Sequence, residues 1–117
     1  MDVEAVRAVE RAVLDYLEGW FDGDVARMER ALHPELAKRD VVEGAVRTLS
    51  ARQMIDATAA GVGRKRDVPD RRIEIDMLDL AGDYATVVVR SAVYREYLHL
   101  VSTPEGWKIL NALWQWA

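Results

Sequence analysis

Apolar positions recur every three or four residues through the first half of the chain and every second residue through the last third, so it reads as helices followed by strands. Val6, Val9, Val13, Leu17 and Trp20 share one helical face, with Glu4, Arg7, Glu10 and Arg11 on the other, which predicts a helix from about Val3 to Phe21. Gly23 is placed to end it, and Asp24 to cap a short second helix carrying Val25, Met28 and Leu32. His33-Pro34 closes that helix, because the residue before a proline is pushed out of the α region. A short strand over about Ala37 to Val42 follows. Ser50 and Gln53 have the spacing of a capping box and open a third helix, Ala51 to Ala60, which offers Met54, Ile55 and Ala59 to a core. Gly61 and Gly63 stop it and begin a charged loop.

Strand candidates fill the rest. Arg72 to Leu80 alternates Ile73, Ile75 and Met77 with Glu74 and Asp76. Gly82-Asp83 makes a tight turn into Tyr84 to Tyr94, whose Val87-Val88-Val89 centre suggests burial on both faces. A further strand, Arg95 to Val101, reaches a hairpin loop at Thr103-Pro104-Glu105-Gly106, and Trp107 to Trp116 forms the last. Helices grouped before strands predict an α+β fold, and 117 residues suit one domain, 1–117.

Composition narrows the function. Half the residues are hydrophobic and 31% are charged, a globular balance. A net charge of −4 gives no basic footprint for nucleic acid or an anionic membrane. Arg64-Lys65-Arg66 is followed at once by Asp67 and Asp70 and reads as a solvated loop. The absence of cysteine excludes disulfides, thiolate catalysis and cysteine-bound zinc. Neither His33 nor His99 has a second ligand at metal spacing, so no metal or cofactor is expected. With no signal core and no membrane-length apolar run, the expected location is the cytoplasm.

The element order resembles the NTF2-like superfamily of cone-shaped α+β barrels, in which three N-terminal helices pack on a curved, mostly antiparallel sheet. Within it the chain looks most like the bacterial group labelled putative lumazine-binding, near the SnoaL and ketosteroid-isomerase-like proteins. The likeness rests on His33-Pro34-Glu35-Leu36-Ala37-Lys38-Arg39, Gly82-Asp83-Tyr84-Ala85-Thr86-Val87, Tyr97-Leu98-His99-Leu100 and Gly106-Trp107-Lys108-Ile109-Leu110-Asn111. The resemblance to the ketosteroid isomerases implies a catalytic set of Tyr16, Asp40 and Glu96, with Gly23-Asp24 in matching register. In that chemistry a carboxylate lifts a proton next to a ketone while neutral donors steady the dienolate oxygen.

Strand alternation then sorts the side chains. If Glu96 faces inward, so do Tyr94, Leu98 and Leu100, leaving Arg95, Tyr97 and His99 outside. The isomerase pattern turns Asn111, Leu113 and Gln115 inward to join Trp20, Met54 and Leu98 around a ligand. It turns Leu110, Trp114 and Trp116 outward, where with Tyr97 and His99 they form a homodimer face. Three functions follow. The chain binds a small aromatic or polycyclic molecule, or it is an isomerase-like enzyme moving a proton next to a carbonyl, or it is a dimeric interaction module whose cone is filled by its own side chains.

Overall fold

A computed structural model describes residues 2–117. Helix α1 spans Val3–Asp22, capped by Asp2 accepting from the Glu4 amide and ended by Gly23 at φ 67°. Helix α2, Val25–Ala31, is capped by Asp24 and buries Met28 and Ala31. Strands β1 (Leu32–Val42) and β2 (Ala45–Ser50) form a hairpin joined by Glu43-Gly44, both at positive φ as a two-residue turn of the I′ kind requires. Helix α3 is Ala51–Ala59, and its capping box is formed as expected: Gln53 N donates to Ser50 Oγ at 3.1 Å, and Ser50 N donates to Gln53 Oε1 at 2.9 Å. Four-residue spacing continues into a one-turn helix α4, Val62–Arg66, where a loop was expected. Its Gly63 lies so close to α1 that a Cβ there would collide with the Trp20 carbonyl oxygen. No described helix is long and apolar enough to cross a membrane.

Strands β3 (Glu74–Ala81), β4 (Tyr84–Arg90), β5 (Tyr94–Thr103) and β6 (Gly106–Trp116) complete a six-stranded sheet in the order β2-β1-β6-β5-β4-β3. Every pairing is antiparallel except β1 with β6. The sheet is curved but does not close, and the helices pack on its concave face, so the fold is α+β, as the resemblance implies. The expected run from Tyr84 to Tyr94 is broken at Ser91, whose hydroxyl accepts from the Val93 and Tyr94 amides and turns the chain into β5. Val87, Val88 and Val89 are all buried, matching their reading as a two-sided core segment.

Two features depart from the alternation argument. Strand β2 is exposed along its whole length and carries no buried stripe by which sequence could mark it. Strand β6 contains a β-bulge: His99 pairs with Asn111 and Leu100 with Ile109, which leaves Leu110 as an extra residue. Beyond Leu110 the phase of β6 is therefore reversed. Ala112, Trp114 and Trp116 lie opposite the inward Leu98, Glu96 and Tyr94, and so face the concave side. Asn111, Leu113 and Gln115 lie opposite His99, Tyr97 and Arg95 on the convex side, and all three are exposed.

The close approach at Gly63 gives a direct test of the α1–α4 contact. Gly63→Ala is expected to lower stability by about 1–3 kcal/mol through overpacking, read as a lower urea midpoint at unchanged m. An unchanged midpoint would show that α4 does not hold this position.

Candidate functional site

The concave side is lined by α1, α3, α4 and the inward residues of β1, β5 and β6. Tyr16 and Trp20, one turn apart on α1, point toward the sheet and are buried. The Tyr16 hydroxyl donates to Glu96 Oε1 at 2.6 Å. Lys38 reaches the same point from β1: its ammonium donates to the Tyr16 oxygen at 2.5 Å and stands 3.5 Å from Glu96 Oε1. Three aromatic rings surround that ammonium, with Tyr16, Trp20 and Trp114 at 5.0, 5.7 and 5.4 Å from Nζ. A cation placed over ring faces is attracted by their quadrupoles, and more strongly where water is excluded.

Lys38 is buried here, against the usual exposure of a strand lysine. Lys38 and Asp40 are two apart on one strand, so an inward Asp40 entails an inward Lys38. That was the available signal, and it was outweighed by the usual exposure of lysine.

Burial and the facing Glu96 carboxylate push the Tyr16 phenol well above its ordinary value. Burial also lowers the Lys38 ammonium from its ordinary value, against the opposing pull of Glu96. On the same wall, Trp20 Nε1 donates to the Tyr94 hydroxyl at 2.9 Å, and Tyr94 stacks on Phe21 and on Trp116.

The sequence-derived catalytic set is assembled only in part. Tyr16 and Glu96 meet, but bonded to each other rather than left free toward a common space. Asp40 is on the same strand face as Lys38, yet both its carboxylate oxygens are taken by Arg47 of β2, at 3.1 and 2.5 Å. Of the expected ligand contacts, Trp20, Met54 and Leu98 lie in the buried concave core. Asn111, Leu113 and Gln115 do not, because the Leu110 bulge turns them outward; Asn111 instead lies 3.3 Å from His99 Nδ1. The same bulge removes Trp114 and Trp116 from the expected dimer face. They replace the amides as inward residues, and they are the site residues that straight alternation missed. His33 accepts from the Glu35 amide at 3.0 Å in the irregular start of β1.

The family model described as putative lumazine-binding matches residues 4–115. The chain belongs to that family. Among solved structures, an NTF2-like protein of unknown function from Silicibacter pomeroyi DSS-3 is 16% identical, superposes with a TM-score of 0.77, and covers all of both chains. An NTF2-like protein of unknown function from Shewanella baltica OS155 is 13% identical at a TM-score of 0.73, covering 100% of this chain and 97% of its own. A cystatin-like fold protein from Burkholderia xenovorans LB400 is 20% identical at 0.65, covering 98% and 93%. Likeness at these identities establishes the fold alone. No curated protein matches the chain. What this member of the putative lumazine-binding family does has to be argued from its own residues.

Two predictions follow from the buried polar group. Glu96→Gln leaves the Lys38 charge without its counter-ion and should cost about 3–5 kcal/mol, whereas Lys38→Met with Glu96→Leu should restore most of the loss in urea denaturation. The second concerns alkaline pH. The Tyr16 phenol is raised in the folded state, so its contribution is fully present below the unfolded value of 10.0 and is lost as pH rises past it. The alkaline fall in stability should therefore be shallower in Tyr16→Phe than in wild type, and equal slopes would count against the assignment.

Proposed function

We propose that the chain is a small-molecule-binding domain that receives a planar aromatic ligand at the mouth of its cone, against Trp114 and Trp116. The observation carrying this reading is the state of Trp116. It lies on the concave side, stacks on Tyr94 at 5.5 Å, meets Trp114 edge-on at 5.1 Å, and is still 55% exposed. The Arg66 guanidinium rests over its ring at 5.1 Å. An indole held by two aromatic neighbours, with a cation over it, offers area for stacking at little cost in side-chain ordering. The family description agrees with a planar heterocycle, and lumazine is the natural first probe.

The isomerase alternative is less well supported. That reaction needs an unencumbered carboxylate base and donors aimed at a substrate oxygen. Here Asp40 is held by Arg47, and Tyr16 donates to Glu96.

Self-association is a second part of the proposal, favoured by the convex face. Val41, Val46, Leu113 and Tyr97 are 58%, 63%, 49% and 40% exposed there, and sheet pairing carries them across neighbouring strands. An apolar strip of this kind suits a second copy of the chain. It retains Tyr97, His99 and Leu110 from the sequence-derived dimer face and adds Leu113 in place of the two tryptophans.

Titration with lumazine, followed by tryptophan fluorescence and equilibrium dialysis, tests the ligand reading. Saturable binding is expected, with Trp116→Ala weakening it roughly 2- to 12-fold, the scale of one lost aromatic contact. Equal affinity of wild type and variant, or no binding of lumazine or a related pteridine at millimolar concentration, would refute it. Sedimentation should show a dimer that Leu113→Glu converts to monomer.

A further inference from the structure

Lys38 has more chemistry around it than a structural ion pair requires. Its side chain is 9% exposed, it lies on the concave side below Trp114, and its nitrogen is linked to a phenol that is itself linked to a carboxylate. Amine, phenol and carboxylate in series form a proton path ending on a potential nucleophile. We propose that Lys38 condenses with the carbonyl group of a small aldehyde or ketone entering the cone, with Tyr16 and Glu96 carrying the protons.

The step balances without a redox partner. The neutral amine of Lys38 attacks the carbonyl carbon, forming the C–N bond as the C=O electron pair moves to oxygen. Tyr16 protonates that oxygen, and the attacking nitrogen gives up a proton through Tyr16 to Glu96. Loss of water then removes the former carbonyl oxygen with two hydrogens that began on nitrogen, leaving an imine. Once the imine nitrogen takes up a proton from solvent, bonds next to the former carbonyl carbon are weakened, because the protonated imine accepts their electrons more readily than the ketone does.

Groups facing Lys38 act in both directions. Trp20 and Tyr16 on α1, and Trp114 on β6, keep water from it, and Arg66 of α4 adds a like charge. Glu96 of β5 and Asp40 of β1 favour the ammonium. Burial outweighs them, and the net lowering supplies free amine at a lower pH than an exposed lysine would. Lys108 provides the contrast. It is also buried, but its ammonium donates to the Arg30 carbonyl at 2.6 Å, with no phenol–carboxylate path.

The chain has three lysines, Lys38, Lys65 and Lys108, so their reactivities can be compared within one molecule. Folded protein would be treated near pH 7 with propionaldehyde and cyanoborohydride, and the rate at each lysine read by peptide mass mapping. Lys38 is expected to label several-fold faster than exposed Lys65, and Lys108 to stay unlabelled. Labelling of Lys38 no faster than Lys65 would overturn the proposal. In Tyr16→Phe, shown folded by circular dichroism, the Lys38 rate should fall and its pH profile should change, and an unchanged rate and profile would overturn the relay. Lumazine affinity and the labelling rate of Lys38 are read independently on the wild-type protein, so this proposal and the ligand reading fail separately.

Discussion

A buried ammonium sets the terms for the interior of this domain. Removing Lys38 from water is costly unless its charge is met, and the means of meeting it come from different parts of the chain. Helix α1 supplies the Tyr16 oxygen and two ring faces, β5 supplies Glu96, and β6 supplies Trp114. Each has to arrive within a few ångströms of one nitrogen. The rotation of α1, the phase of β5 and the bulge in β6 are thus coupled, because a change in any one would strand a charge among apolar walls. The aromatic lining then reads as a set of contacts to a cation at one end and an exposed indole at the other.

Much of the fold was legible because its local signals agree with one another. The capping box at Ser50, the glycine after α1 and the alternation of β3 each rest on short-range chemistry that sequence displays directly. What was not legible is instructive. Strand β2 is exposed on both faces, so burial leaves no period-two trace in Ala45–Ser50. The bulge at Leu110 lies in an apolar run where either phase buries plausible residues, and no glycine or proline marks it. One unmarked residue was enough to exchange Asn111 and Gln115 for Trp114 and Trp116 as inward groups. Of the candidate set, Trp20 and Met54 were placed on the correct side by helical spacing, and Tyr16, Glu96 and Leu98 by spacing together with the isomerase resemblance. Asp40 faces inward too, but its partner Arg47 sits on the strand that sequence did not reveal.

The two sides of the sheet therefore carry separable properties. The concave side holds the charge cluster and the aromatic wall, while the convex side holds an apolar strip of β-branched and leucine residues with one tyrosine. A ligand in the cone and a partner on the back would not compete for the same groups. Solved NTF2-like neighbours with this architecture share little sequence with it, which fits a scaffold whose curvature persists while the residues projecting from it change.

The single parallel pairing, β1 beside β6, has a consequence for how the molecule comes into being. It joins the first strand of the sheet to the sixth, so the concave wall bearing Lys38 is completed by residues made after those of the other five strands. Contacts of such long sequence separation form slowly, since the intervening loop must be closed before they contribute. A growing chain can fold its helices and the β3–β4–β5 meander early, but the lysine waits in water for β6. Assembly of the interior charge cluster therefore waits on β6, the strand whose Trp114 closes over the lysine.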